Sequence, residues 1–198
     1  MSQPDPDKVA RLKQALEAFE ASGGQSQLFD HAGEEALAPV RKRALGLLDQ
    51  RSRSRHELRE RLLKAEYAPE AVDAVLDSLQ QAGLIDDGVF AHEWVRQRAA
   101  RRGKSARALD RELKEKGVGA ADRADALEQI SAEDEAKAAR ALAEKKAREV
   151  KTPPADRAEY DKYLRRIVGV MARRGYGSGM ALSIGREVLD ARIEEVGE

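Results

Sequence analysis

The chain repeats itself, and the recurrence narrows its possible folds more than any other feature. An offset of 51 residues superposes Ser54 on Ser105, Leu58 on Leu109, Leu62 on Leu113, Tyr67 on Val118, Leu76 on Leu127 and Leu79 on Ile130. A further offset of 58 carries Leu109 to Ile167, Leu113 to Met171, Gly117 to Gly175, Val118 to Tyr176, Ala126 to Ile184 and Ile130 to Val188. Apolar pairs at helical spacing recur by chance in any helical chain. Serine caps and glycine stops that keep the same register as the apolar positions are more demanding, and they predict three copies of one three-helix unit. Such units bury little alone and gain by stacking on their neighbours. The expected fold is therefore all-α, with three tandem three-helix repeats in an elongated, curved array.

Each copy reads as a leading helix (about 40 to 50, 86 to 102, 132 to 150), a middle helix (54 to 66, 105 to 116, 156 to 174) and a closing helix (69 to 82, 120 to 130, 178 to 196). Ser54 with Glu57 forms a capping box, Pro69 suits a first helical turn, and Lys151-Thr-Pro-Pro154 breaks the chain where the second offset gains its extra residues. The repeats are expected at 40–83, 84–130 and 131–198. Residues 1–39 carry Pro4, Pro6, the polar tract Ser22 to Gln27 and Pro39, and are expected to form a flexible N-terminal extension. One amphipathic helix near Asp7 to Ala21 would be marginal alone.

The most informative stretch is Gly83 to Gly117. Asp86 caps a helix carrying Val89, Phe90, Trp94 and Val95. Gly103 ends it, Ser105 caps the next, and Leu109 and Leu113 give that helix an apolar stripe up to Gly117. Between residues 96 and 116 stand nine Lys or Arg against three acids, although the whole chain has net charge 0. The cations at Gly103 need not follow helical spacing. Lys104 and Arg107 lie near a helix start, where the dipole disfavours positive charge. That arrangement suits binding, so Arg102 and Lys104 are expected to be dispensable for stability.

The rest of the composition excludes function classes. No apolar run approaches the roughly 20 residues that cross a bilayer, and the first residues, MSQPDPDK, lack the character of a signal peptide; a cytoplasmic protein is expected. The absence of Cys removes thiolate catalysis and nearly all structural zinc chemistry. His31, His56 and His92 have no metal-ligand spacing. Ser54, His56 and Asp49 could be drawn as a triad, but Ser54 and Glu57 explain themselves as a cap. Gly175-Tyr-Gly177-Ser-Gly179 lacks the preceding strand and the Lys-Ser/Thr ending of a phosphate loop, and reads as a helix stop before a Ser178 cap. The chain is expected to be no enzyme and to hold no cofactor or metal.

Two basic runs remain, from Arg41 to Lys64 and from Arg96 to Lys116. Each could be a solvated face paired at i,i+4 with Glu57, Glu60, Asp110, Glu112 and Glu115. Their return at equivalent places of the repeat favours a surface for phosphate or acidic protein. Trp94 and Tyr67 could stack on bases, but their positions predict core packing.

At Ser54-Arg-His-Glu-Leu58, Gly83-Leu-Ile-Asp-Asp87 with Phe90-Ala91, Arg101-Arg-Gly-Lys104, Lys116-Gly117 and Arg173-Arg-Gly-Tyr176, the chain resembles the bacterial regulatory proteins of the RecX family. The likeness spans about Val40 to Val196. It implies a non-enzymatic modulator that lodges in the groove of the RecA recombinase filament on single-stranded DNA and restrains filament growth, ATP hydrolysis and strand exchange. DNA repair, recombination and the SOS response would be its setting, and a monomer with weak, non-specific affinity for single-stranded DNA its form. The candidate contacts to filament or DNA are Arg55, Arg59, Arg101, Arg102, Lys104, Arg107, Arg111, Lys116, Arg173 and Arg174. Glu66 departs from the family pattern, standing where a glycine precedes the aromatic at Tyr67. The alternative is a helix-turn-helix transcription regulator. Against it, the closing helices are acidic where a recognition helix would read bases, with Glu70, Asp73, Asp77, Asp122, Asp125 and Glu128.

Overall fold

The computed structural model describes residues 31–197. Nine helices follow one another and no strand occurs among the described residues. They are α1 (His31–Gln50), α2 (Arg55–Leu63), α3 (Pro69–Gln81), α4 (Asp87–Arg102), α5 (Ala106–Glu115), α6 (Ala120–Leu127), α7 (Ala132–Ala147), α8 (Arg157–Ala172) and α9 (Ser178–Gly197).

Local chemistry sets most helix starts. Side-chain oxygens of Ser54, Asp86, Ser105, Ser131 and Asp156 accept from the backbone N–H three residues on, at 2.8 to 3.2 Å. Left-handed residues end α2, α4, α5 and α8. Gly103, Gly117 and Gly175 serve three of these ends. Glu66, at φ 64°, serves α2 and is the only non-glycine at positive φ among the described residues.

The helices pack in threes around three separate apolar clusters. Val40, Ala44 and Leu47 of α1 meet Leu58 and Leu62 of α2 and Val72, Val75, Leu76 and Leu79 of α3. Phe90, Ala91 and Val95 of α4 meet Leu109 and Leu113 of α5 and Ala126 of α6. In the third cluster, Ala139, Ala143 and Ala147 give α7 a narrow stripe. It lets Leu164, Ile167 and Met171 of α8 and Ala181, Ile184, Val188 and Leu189 of α9 close over it. Each fully buried Leu, Ile or Met stabilises its cluster by about 1.5–3 kcal/mol.

One boundary differs from expectation. α1 starts at His31, not near 40, and runs through Pro39, so Leu37 packs against the first cluster. Proline removes one i→i−4 bond but leaves the remaining ladder intact, and the apolar period beyond it carries the helix through. The helix expected near Asp7 to Ala21 lies outside the described residues.

Successive triplets meet end to end through helix termini. Ser54 Oγ donates to the Lys116 carbonyl at 2.6 Å, and the Ser105 N–H donates to the Arg174 carbonyl at 3.0 Å. In both joints the N-terminus of a middle helix receives the C-terminus of the next middle helix. An acid from the following leading helix completes each joint. Asp87 accepts from the Arg55 N–H at 2.8 Å and Glu135 from the Ala106 N–H at 3.0 Å. At α8 the capping is local: Asp156 caps the helix, and Glu159 of the same helix accepts from the Ala155 N–H at 2.9 Å, one residue before that cap.

Candidate functional site

The basic turn after α4 sits at the joint of the second and third triplets. Gly103 reverses the chain at φ 55°, Arg174 Nε donates to the Arg102 carbonyl at 2.8 Å, and Tyr176 Oη donates to the Gly103 carbonyl at 3.1 Å. Arg101 and Arg102 of α4 are thereby drawn to the same joint as Arg173 and Arg174 behind α8. The side chains of Arg101, Arg102, Arg107, Arg111 and Arg173 make no hydrogen bond or ion pair among the described residues, and all five are exposed. Arg107 and Arg111, one turn apart, share a face of α5.

Other expected contacts are engaged internally. Arg59 makes a two-pronged pair with Asp73 at 2.7 and 3.0 Å, and Arg55 pairs with Asp77 at 2.7 Å. Lys104 is the clearest correction. Its ammonium pairs with Glu112, and burial together with Arg98 and Arg102 lowers its pKa. It is part of the second triplet's structure rather than a dispensable surface charge. Glu112, two turns along α5, answers the charge that the helix dipole disfavours at Lys104.

Lys116 belongs to a network at the joint of the first and second triplets. Its ammonium donates to Glu57 at 2.6 Å and lies 4.2 Å from the centre of the Trp94 ring. The Arg98 guanidinium stands 3.6 Å from that ring centre, and Trp94 Nε1 donates to Glu112 at 2.9 Å. Arg51 also grips Glu57, with both contacts at 3.1 Å. Burial raises the Glu57 carboxyl, but the hydrogen bonds from Arg51 and Lys116 outweigh it and hold the pKa at about 2. Trp94, half-buried between two cations, packs against the second cluster as expected. A groove of about 990 Å³ runs beside this network, lined by cations and acids alike, including Arg61, Lys64, Glu60 and Glu115.

The network escaped sequence reasoning because its partners come from different triplets. The repeat register does carry one clue to local pairing, since Arg53 and Arg61 stand where the second triplet has Lys104 and Glu112. With no acid at the Glu112 position, buried Arg53 turns to the Leu47 carbonyl at 2.9 Å and Gln50 at 3.2 Å, and its Nη1 finds no partner among the described residues.

Nothing in this geometry resembles a catalytic centre. Ser54 is buried, with its hydroxyl committed to the Lys116 carbonyl and the Glu57 N–H. His92 bonds Asp125 at 2.7 Å. Among the described residues no group of three acids or histidines could hold a metal, and no helix is long and apolar enough to cross a membrane.

Comparison with known proteins follows the same triplets. The family models described as the first and second three-helix domains of RecX match residues 41–79 and 86–127. The regulatory protein RecX of Corynebacterium efficiens is 55% identical over 192 residues, 96% of this chain and 91% of that protein. The chain belongs to the RecX family. The RecX of Streptomyces coelicolor is 42% identical over 179 residues, covering 89% of this chain and 93% of its own. A crystal structure of regulatory protein RecX matches with a TM-score of 0.67 at 22% identity, over 93% of this chain and 81% of that one. The RecX structure from Lactobacillus salivarius gives 0.66 at 22% identity, over 80% and 99%. These two structures share the RecX fold, and the relatives bear the name of regulatory proteins.

Proposed function

We propose that this chain binds the filament that the RecA recombinase forms on single-stranded DNA and restrains its extension, ATP hydrolysis and strand exchange. It does so as a cytoplasmic monomer of three units divided near residues 83 and 130, in DNA repair, recombination and the SOS response. The family resemblance supplies the partner. The supporting observation is the joint between the second and third triplets, where Arg101, Arg102 and Arg173 expose guanidinium groups that make no hydrogen bond or ion pair among the described residues, together with Arg107 and Arg111 on the exposed face of α5. Charges that the fold does not neutralise are available to phosphates or carboxylates of a filament groove, and the arginine fork suits either. Several modest contacts along a chain of units could add to useful affinity without a deep pocket. Arg55, Arg59, Lys104 and Lys116 shape and hold the units that present these groups.

The test is co-sedimentation and ATPase inhibition with purified recombinase, with and without single-stranded DNA. Arg101→Ala with Arg102→Ala is expected to weaken inhibition tenfold, about 1.4 kcal/mol, while circular dichroism shows intact helices. Unchanged inhibition by the folded double variant would remove this joint as the contact.

A further inference from the structure

The first triplet buries a cation that its own fold leaves partly unpaired. Arg53 is only 5% exposed. Its Nε donates to the Leu47 carbonyl at 2.9 Å and its Nη2 to Gln50 Oε1 at 3.2 Å, bonds that tie the guanidinium to the last turn of α1. This tether accounts for two of the three nitrogens. Nη1 is buried without a hydrogen bond, and no other side-chain atom among the described residues shares that condition. Buried donors are nearly always paired, and a guanidinium does not shed its charge, so an orphan of this kind points to an acceptor from another molecule.

The repeat identifies the acceptor. In the second triplet Glu112 gathers the Lys104 ammonium, Trp94 Nε1 at 2.9 Å and the Arg98 guanidinium at 3.6 Å. The offset of 51 residues puts Arg53 in the place of Lys104, Arg43 in that of Trp94, Leu47 in that of Arg98 and Arg61 in that of Glu112. The position that holds the carboxylate in one triplet therefore holds a further cation in the other. Burial, and after it the charges of Arg51 and Arg61, lower the Arg53 pKa, with Glu57 opposing them. Glu57 cannot serve as the acceptor, because Arg51 and Lys116 already hold its carboxylate. Exposed cations without an acid are common on this molecule. A buried one beside a charge-reversed acid position is not.

We propose that a carboxylate side chain of the recombinase docks between Arg53 and Arg61, in the place that Glu112 fills in the second triplet. Arg61 is exposed and lines the groove of about 990 Å³ beside the first joint. An acidic side chain entering from that groove meets Arg61 first, and drawing its guanidinium aside opens the way to Arg53 Nη1. The surroundings favour a single carboxylate over a phosphate backbone. Glu57, Glu60 and Glu115 also line the groove and repel a polyanion, whereas the arginine fork matches the two oxygens of one carboxylate. The proposal rests on the reading above that the recombinase is the partner, and it adds a protein contact on the first triplet, apart from the arginine joint.

The experiment measures retention of purified recombinase, without DNA, on the immobilised full chain, beside urea midpoints of the free chain. Arg61→Glu restores the acid of the second triplet, so the new carboxylate competes for Arg53 from within. Retention is expected to fall at least tenfold while the urea midpoint rises. Arg61→Gln, which removes the cation without supplying an acid, is expected to weaken retention less and to leave the midpoint unchanged. Lys42→Glu, the same charge change at an exposed place on α1, is expected to alter retention less than twofold. Wild-type retention by Arg61→Glu would overturn the site, and so would a lowered midpoint, since position 61 would then have no use for an acid. Equal losses in Arg61→Glu and Lys42→Glu would reduce the effect to bulk charge and overturn it as well. Lost affinity for a fluorescein-labelled oligothymidylate with intact recombinase retention would give the pocket to phosphate instead. A wild-type chain that retains no recombinase would sink the proposed function and the site together, whereas equal retention by wild type and Arg61→Glu removes the site alone.

Discussion

Glu66 holds a backbone conformation that its side chain opposes. At φ 64° its Cβ crowds the following carbonyl, a strain of about 1–2 kcal/mol that glycine escapes. Its N–H still donates to the Leu63 carbonyl at 2.9 Å, so the turn closes despite the strain. Glycine would relieve the strain but widen the unfolded ensemble, which returns about 0.4–1 kcal/mol. Glu66→Gly is therefore expected to stabilise the chain by about 0.5–1 kcal/mol, read as a higher urea midpoint with an unchanged slope. A lower midpoint would show that the glutamate contributes something the strain argument misses.

At the scale of single helices, most of the fold is legible in the sequence. A cap acts on an N–H three residues away, so Ser54, Asp86 and Ser105 announce α2, α4 and α5 without knowledge of anything distant. The exception is α1, where Pro39 reads as a boundary but lies inside a helix that begins at His31. What α2 does with its first turn was not legible. Glu57 there looks like the far half of a capping box, yet its carboxylate is held by Arg51 and by Lys116, 59 residues away. A side chain with two uses shows only the local one in sequence. Glu57 also ties stability to pH. An unfolded glutamate titrates near about 4.3, so the stabilisation from its depressed pKa is complete above that value and lost as pH falls toward 2. Full conversion gives roughly 3 kcal/mol, and solvent screening cuts this to about 1. Glu57→Gln is expected to cost about 1 kcal/mol at neutral pH and to flatten the acid limb between about pH 4.5 and 2. Urea titrations followed by the fluorescence of Trp94, the only tryptophan, would measure both; an unaltered acid limb would show the two ion pairs to be energetically silent.

For the whole molecule, the joints matter more than the triplets they link. Each asks one residue to satisfy two conditions. Gly175 adopts φ 89° to end α8, and it also lies so close to the second triplet that a Cβ would sit 2.6 Å from both Ala108 Cβ and Ser105 Oγ. Gly83 has a similar φ of 70° but open space around it. Gly83→Ala is thus expected to cost about 1–2 kcal/mol from strain alone, and Gly175→Ala about 2–4, the excess being overpacking at the joint. Denaturation of the two variants side by side separates these contributions; equal losses would mean that the joint opens freely. The arginine surface was half legible for a related reason. Net charge within a segment is visible in sequence, but cancellation by acids from another helix is not, which is why Arg55 and Arg59 looked available beside Arg102. The acids that complete the joints also impose an order in time. The start of α2 waits for Asp87, and the start of α5 waits for Glu135, each carried by the triplet that follows, while α8 waits for nothing beyond itself. A ribosome adding about 5–20 residues per second delivers each successor seconds after the triplet it completes. Each of the first two triplets is therefore completed only once its successor has been made, and the joints close in chain order, the one at α2 before the one at α5.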